Sequence, residues 1–266
     1  MPRSFFLHLD TDAWERALLR GAASWWHMLY FGAIVLVMAL SPSSYNRINR
    51  ATTSQYIYSS TWQVLPWFTA LTALLSMVLI RIVVVTALSY GLSQYALQMV
   101  VRVLVLELIP LSAALFVALH AGMTLNSGAA DKIQFIRPFA TTRLSLDHLR
   151  QKLVPQALAS AFSVLALAIV SSVIALLLAY LTVHGFSLWG LAGFTRNVGQ
   201  VFDPAVTLGF ALKTILFSLA VAVVPMAASL ENSRQPTTSS TVQPGAVRLF
   251  LVLLLIEAAS LAVKYI

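Results

Sequence analysis

The chain contains no cysteine, and only 10% of its 266 residues are charged. The first absence excludes disulfides, cysteine-ligated metals and thiol catalysis. The second excludes an ordinary soluble domain, in which about 25% of residues are charged. In their place, 59% of the residues are hydrophobic and the mean hydropathy is +0.83. The composition therefore indicates an all-α polytopic membrane protein.

Recognisable catalytic motifs are absent as well. The sequence has no G-x-x-x-x-G-K-[ST] loop, no G-x-S-x-G elbow and no H-E-x-x-H helix. Its five histidines never occur at metal-ligand spacing. We therefore expect no enzymatic activity, no catalytic residue and no metal site. Energy for any work would come from a partner protein or from an ion gradient.

Five apolar runs are long enough to cross a bilayer, which takes about 20 residues per helix. The predicted spans are 56–88, 95–130, 156–183, 204–230 and 246–266, and a turn-like cluster at Ser89–Ser93 separates the first two. The net charge of +8 lies mainly in the short segments between apolar runs, so the positive-inside rule explains it without nucleic acid. This rule places the N-terminus in the cytoplasm and the C-terminus on the outer face.

The first 50 residues form a separate region before the part that contains the predicted spans, 51–266. Residues 11–26 predict an amphipathic surface helix, because tryptophan and leucine recur at helical spacing opposite arginines. Residues 27–40 are apolar but too few to span comfortably. We interpret this short segment as interfacial or re-entrant, with a sixth span as the alternative.

Glu107 and Pro110 interrupt the second predicted span. Lipid tolerates such residues only where protein or water shields them. Glu107 is therefore a gating or cavity position, a structural acid paired with one of three basic residues (Arg81, Arg102 and Lys213), or both. Arg102 lies five residues away and does not share a face with Glu107 on a straight α-helix, which favours a partner from another helix.

Other polar residues within the spans leave alternatives open. Lys213 can snorkel to the membrane surface, or contact a lipid headgroup or Glu107. The same alternatives, snorkelling or contact with a lipid headgroup or Glu107, apply to Arg81 and Arg102. Glu257 lies within the last span, where structural pairing is favoured. His120 is either part of a proton relay or a packed histidine.

The segment 131–152 holds the most concentrated cytoplasmic charge. Its basic excess places it inside the cell. It is either a plain cytoplasmic loop or a docking surface for an energy-supplying partner, formed by short surface helices that break near Pro138. The charged residues assigned to that coupling role are Asp131, Lys132, Arg137, Arg143, Asp147 and Arg150.

Several of these residues resemble the signature of the MlaE-type permeases, the membrane subunits of ATP-binding cassette (ABC) systems that move phospholipid with MCE-domain proteins. Glu107-Leu108-Ile109-Pro110 stands for the family's E-L-G-P, and Ala121-Gly122 falls at its A-G pair. Asp147 and Pro155 lie where the family has an aspartate and a later proline. Lys213 and Phe217 resemble its K-S-x-x-F segment.

The sequence departs from that pattern at three places. His120 stands for the signature arginine, Gly128 for a glutamate, and Ile136-Arg137 for a Glu-Gln pair. Two of these departures lie in or beside the segment that would contact an ATPase. We therefore identify the chain as a divergent member.

The resemblance implies a homodimer in the bacterial inner membrane, with a chamber for a two-tailed lipid between its subunits. Residues 131–152 would form a coupling helix on a cytoplasmic ATPase, which would bind ATP and magnesium. An MCE-domain protein would lie on the periplasmic side, and a STAS-domain accessory protein is a further partner of such systems. The alternatives are an ion-coupled secondary carrier using Glu107 and His120, and a membrane scaffold without transport.

Overall fold

The computed structural model describes residues 47–127, 146–234 and 244–265, and the single positions 30, 32, 33 and 37. Within these ranges the chain is helical and has no strand. The elements are α1 (Arg47–Ser89), α2 (Ser93–Val100), a π-helical segment (Val101–Leu108), α3 (Ile109–Ser127), α4 (Leu146–His184), a 3₁₀ turn (Leu188–Gly190), α5 (Leu191–Val201), α6 (Pro204–Arg234) and α7 (Pro244–Tyr265).

Five of the described stretches are long and apolar enough to cross a membrane, which confirms the predicted fold class and number of spans. They are Val64–Ser89, Tyr95–Ala121, Pro155–His184, Pro204–Ala228 and Gly245–Lys264. The second is composite, since α2, the π-helical segment and α3 follow one another without a break. Helix α1 has 43 residues and is therefore about 65 Å long, so it extends well beyond a hydrocarbon core of about 30 Å.

The turn between α1 and α2 lies at the predicted Ser89–Ser93 cluster. Gly91 has a φ of 72°, a left-handed conformation that glycine adopts without a steric cost. The Leu92 N–H donates to the Ala87 carbonyl at 2.8 Å and thereby satisfies one of the last acceptors of α1. We call the end of the bundle that carries this turn the turn end.

Helix α1 packs along α4. Ala157, Ala168 and Ser172 of α4 are buried, and small side chains such as these let neighbouring helices approach closely. The Thr61 and Ser163 hydroxyls are 2.8 Å apart and join the two helices. Close approach of the backbones gives the dispersion contacts and polar links that hold helices together in lipid.

Two apolar clusters fill the bundle. One is centred on Phe68, Leu167, Phe217 and Leu253, and thus joins α1, α4, α6 and α7. The other joins α1, the π-helical segment, α4 and α5 through residues that include Ile80, Leu104, Val105, Ala175 and Phe194. Helix α5 is a short element of the turn end, where Gln98 donates to Gln200 at 3.4 Å.

Some predictions fall outside the described residues. These are the amphipathic helix at 11–26 and most of both the segment 27–40 and the coupling segment 131–152. Of 27–40, Tyr30, Gly32, Ala33 and Val37 are helical. These interpretations, the division at residue 50 and the orientation of the termini remain predictions.

Candidate functional site

The backbone around Glu107 departs from α-helical geometry. Val101–Leu108 forms a π-helix, and the Ile109 N–H donates to the Leu104 carbonyl, five residues back. Pro110 follows immediately and has no N–H to donate. In an α-helix that N–H would bond to the carbonyl of Leu106, so proline leaves this acceptor available in the middle of the span.

A lysine from another helix takes the available acceptor. The Lys213 ammonium on α6 lies 3.4 Å from the Leu106 carbonyl oxygen. It also donates to Glu107 Oε2 in a short ion pair. The irregular backbone and the acidic side chain thus share one cation, which satisfies polar groups that lipid cannot solvate.

Glu107 and Lys213 belong to a cluster of four charges, which we call the charge cluster: Glu107, Lys213, Glu257 and Lys264. Lys264 Nζ lies 2.8 Å from Glu107 Oε1, and Lys213 Nζ lies 2.7 Å from Glu257 Oε2. The latter contact has the distance of an ion pair but not the alignment of a hydrogen bond. Each of the two central residues therefore touches two opposite charges.

The charge cluster is electrically balanced and largely enclosed. Two carboxylates face two ammonium groups, so the formal charges of these four side chains cancel. Lys213 is 3% exposed, and its ammonium nitrogen lies over the Phe217 ring, 5.7 Å from the ring centroid. Glu107 lies next to the midpoint of the span Tyr95–Ala121. Such a balanced network holds three spans in one arrangement, because separating them would expose unpaired charges to lipid.

The structure decides between the sequence interpretations of Lys213. It does not snorkel to the membrane surface, because its ammonium is buried between two carboxylates. Glu257 is paired, as the sequence analysis favoured. Lys264 was missed as a partner, because a lysine at the end of an apolar run looks like an ordinary membrane boundary. The packing of α7 against α6 and α3 brings it to Glu107.

Arg81 and Arg102 do not join this site. Both are exposed, and the described ion pairs of Glu107 go to Lys213 and Lys264. The spacing argument about Arg102 assumed an α-helix, whereas this stretch is π-helical. Its conclusion that the partner comes from another helix nevertheless agrees with the observed contacts.

His120 is far from the charge cluster. It is partly buried on α3, 13 residues after Glu107 and therefore about 20 Å along the helix. Among the described residues, no group of three His, Cys, Asp or Glu side chains could hold a metal ion. This geometry does not join Glu107 and His120 in one proton path.

Most of the proposed coupling residues cannot be placed. Asp131, Lys132, Arg137 and Arg143 lie outside the described residues. Asp147 and Arg150 belong to the first turns of α4, and the structure describes only their backbone. The coupling segment therefore remains a prediction from sequence.

A bundle with five membrane-length apolar helices in its described part, and ion pairs between three of them, defines a multi-pass helical membrane protein. The chain belongs to the MlaE permease family: the family model described as Permease MlaE matches residues 53–263. It is accordingly the membrane subunit of an ABC-type lipid transport system in the inner membrane. No curated protein and no solved structure matches the chain.

Proposed function

We propose that this permease forms a homodimer that moves phospholipid or a related lipid between the inner membrane and an MCE-domain partner. A cytoplasmic ATPase would bind ATP and magnesium and drive the cycle, and a STAS-domain protein is a further candidate subunit. Family membership supports such an ABC system in general terms. The permease would contribute the lipid path and the mechanical response, with no catalytic residue of its own.

The charge cluster is the observation that carries the proposal. Three of its four members keep some exposure in the single subunit: the side chains of Glu107, Glu257 and Lys264 are 17%, 12% and 22% exposed. Lipid does not tolerate charged groups facing it at this depth. The uncovered side of the charge cluster therefore faces water or protein, as it would in a chamber between two subunits.

The same cluster supplies a gate for that chamber. It joins the second, fourth and fifth spans by ion pairs, so these spans move together while the pairs are intact. A lipid phosphate that enters from the open side can replace one carboxylate as a partner of an ammonium group, while water that enters with it solvates the displaced carboxylate. The spans can then separate without leaving a charge unsolvated. The π-helical segment and Pro110 place the deformable part of the second span beside these pairs.

Energy would reach this gate through the basic segment 131–152. It leads into α4, which packs along α1 and contributes to both apolar clusters. Arg143 and Arg150 are the residues most useful for testing the contact, since reversing their charge would repel an acidic docking surface. Nucleotide hydrolysis itself would take place in the partner.

The first experiment tests the coupling segment. The R143E/R150E double variant, co-expressed with a candidate partner ATPase, should lose ATPase co-purification or lipid-stimulated hydrolysis. R196E, at an exposed position of α5, is the matched charge-reversal control and should keep both. Unchanged co-purification and unchanged stimulation in R143E/R150E would contradict the docking role.

The second experiment separates transport from a scaffold role. Glu107→Gln keeps the shape of the side chain but removes its negative charge. In proteoliposomes that contain the complete complex, it should reduce transfer of fluorescent phospholipid while ATPase co-purification is retained. If complex stability changes and lipid transfer does not, the protein acts as a scaffold and the gate is refuted.

A further inference from the structure

Two aromatic side chains project from the loop between α4 and α5. Phe186 is 95% exposed and Trp189 is 97% exposed. Aromatic side chains of this size normally bury 150–250 Å² each, so a pair left uncovered needs a partner. We call residues 185–190 the aromatic tip.

The aromatic tip has a defined conformation. Gly185 has a φ of 64° and turns the chain away from α4. The Tyr180 hydroxyl then donates to the Ser187 carbonyl. Tyr180 also meets the Phe194 ring edge-on at 5.1 Å between centroids, and Phe194 is anchored in the apolar core. The two exposed rings are thus carried by a loop fixed to the bundle.

The surroundings indicate that the partner is the bilayer. The aromatic tip starts directly after the span Pro155–His184, and no Asp, Glu, Lys or Arg occurs between residues 156 and 195. Exposed apolar side chains of α4 (Ile169, Val173, Leu177 and Val183) lead towards it. The lipid-facing surface therefore continues onto the tip.

Further aromatic residues lie at the same end of the bundle. Tyr90 and Tyr95 flank the α1–α2 turn and are 76% and 47% exposed. Tyrosine and tryptophan concentrate where spans leave the hydrocarbon, because their rings are apolar and their polar atoms remain hydrated. Helix α5 then turns Arg196 outward, where the chain re-enters a polar environment.

We propose that the aromatic tip is a lipid-interface anchor, with Phe186 and Trp189 inserted at the boundary between headgroups and acyl chains. Insertion would fix the depth of α5 and of the adjoining ends of the third and fourth spans. The proposal depends on the protein spanning a membrane, and is independent of lipid transport, of the ATPase and of the charge cluster.

The lack of native cysteine allows a direct test by site-directed spin labelling. The full chain with Ser187→Cys, an exposed position between the two rings, is reconstituted in phosphatidylcholine–phosphatidylglycerol vesicles. Collision rates with oxygen and with a water-soluble nickel chelate then report depth, calibrated with doxyl-labelled lipids. Arg196→Cys, on the exposed side of α5, is the matched control.

The Ser187 label should show high oxygen and low nickel collision rates, at the depth of the headgroup–acyl boundary, and the Arg196 label should be accessible to nickel. Adding Phe186→Ser and Trp189→Ser should raise the nickel collision rate at Ser187 severalfold, while circular dichroism stays unchanged because both side chains are exposed. If the Ser187 label is freely accessible to nickel in the chain that retains Phe186 and Trp189, the tip projects into water. Low collision rates with both reagents would show a tip covered by protein. Either result overturns the proposal.

Discussion

Lys213 should be the most sensitive residue of the charge cluster. In Lys213→Met the side chain keeps a similar length and loses its charge. Glu107 then retains Lys264 at 2.8 Å, whereas Glu257 loses the ammonium at 2.7 Å. The cluster changes from neutral to a net charge of −1, and the Leu106 carbonyl loses its donor.

The size of the effect follows from burial. Removing one partner of a buried ion pair costs about 3–5 kcal/mol. We expect the lower end of this range, about 3 kcal/mol. The side chains of Glu107 and Glu257 are 17% and 12% exposed, so water can solvate them in part when the ammonium group is lost. This loss corresponds to about a hundredfold change in the unfolding equilibrium. Glu257→Gln alone should cost less, since Lys213 keeps Glu107.

A double-mutant cycle provides the decisive comparison. In K213M/E257Q the stranded carboxylate is gone and the Glu107–Lys264 pair remains neutral, so the double variant should be more stable than the sum of the single variants. The expected coupling is about 1–3 kcal/mol. Unfolding in mixed micelles by titration with sodium dodecyl sulfate, followed by circular dichroism, measures it. Arg81→Met, at an exposed position, is the control. Additive single effects would refute a shared buried cation.

Three further substitutions test the backbone features. Gly91→Ala should cost about 1–2 kcal/mol, because its φ is 72°. Gly193→Ala is its control: Gly193 lies in a helix and has open space around its Cβ position, so this substitution should not lower the melting temperature. Gly245→Ala should lower it, because the new Cβ would lie 2.6 Å from a side chain of α6 and push α6 and α7 apart at a cost of about 1–3 kcal/mol. Gly209→Ala, in open space, is its control. Pro110→Ala returns a backbone donor to the span, so the melting temperature should hold or rise while phospholipid transfer falls. Equal transfer by this variant and the native protein would remove Pro110 from the gate.

Much of the fold could be predicted because the signals are local. Span number follows from apolar length, and the α1–α2 turn follows from a short polar cluster with Gly91. The π-helical stretch could not be predicted in the same way. It depends on how Val101–Leu108 packs against the apolar core, and no residue in it is a recognised signal for i→i−5 bonding.

The site was only partly predictable for a related reason. Intramembrane charges are expensive, so Glu107, Lys213 and Glu257 stand out in the sequence as residues that need partners. Which partners they take depends on the relative depth of the helices. Lys264 illustrates the limit: its position at the end of an apolar run suggests a membrane boundary, whereas packing of α7 brings it to the middle of the second span.

The order of the four clustered residues along the chain has a consequence for biogenesis. During synthesis an acid emerges first (Glu107), then a base (Lys213), then an acid (Glu257) and then a base (Lys264). The nascent chain therefore never accumulates more than one unmatched charge from this group. Lys213, on the fourth span, supplies the counter-ion that Glu107, on the second span, lacks until then. We therefore expect these two spans to leave the translocon for the lipid cooperatively.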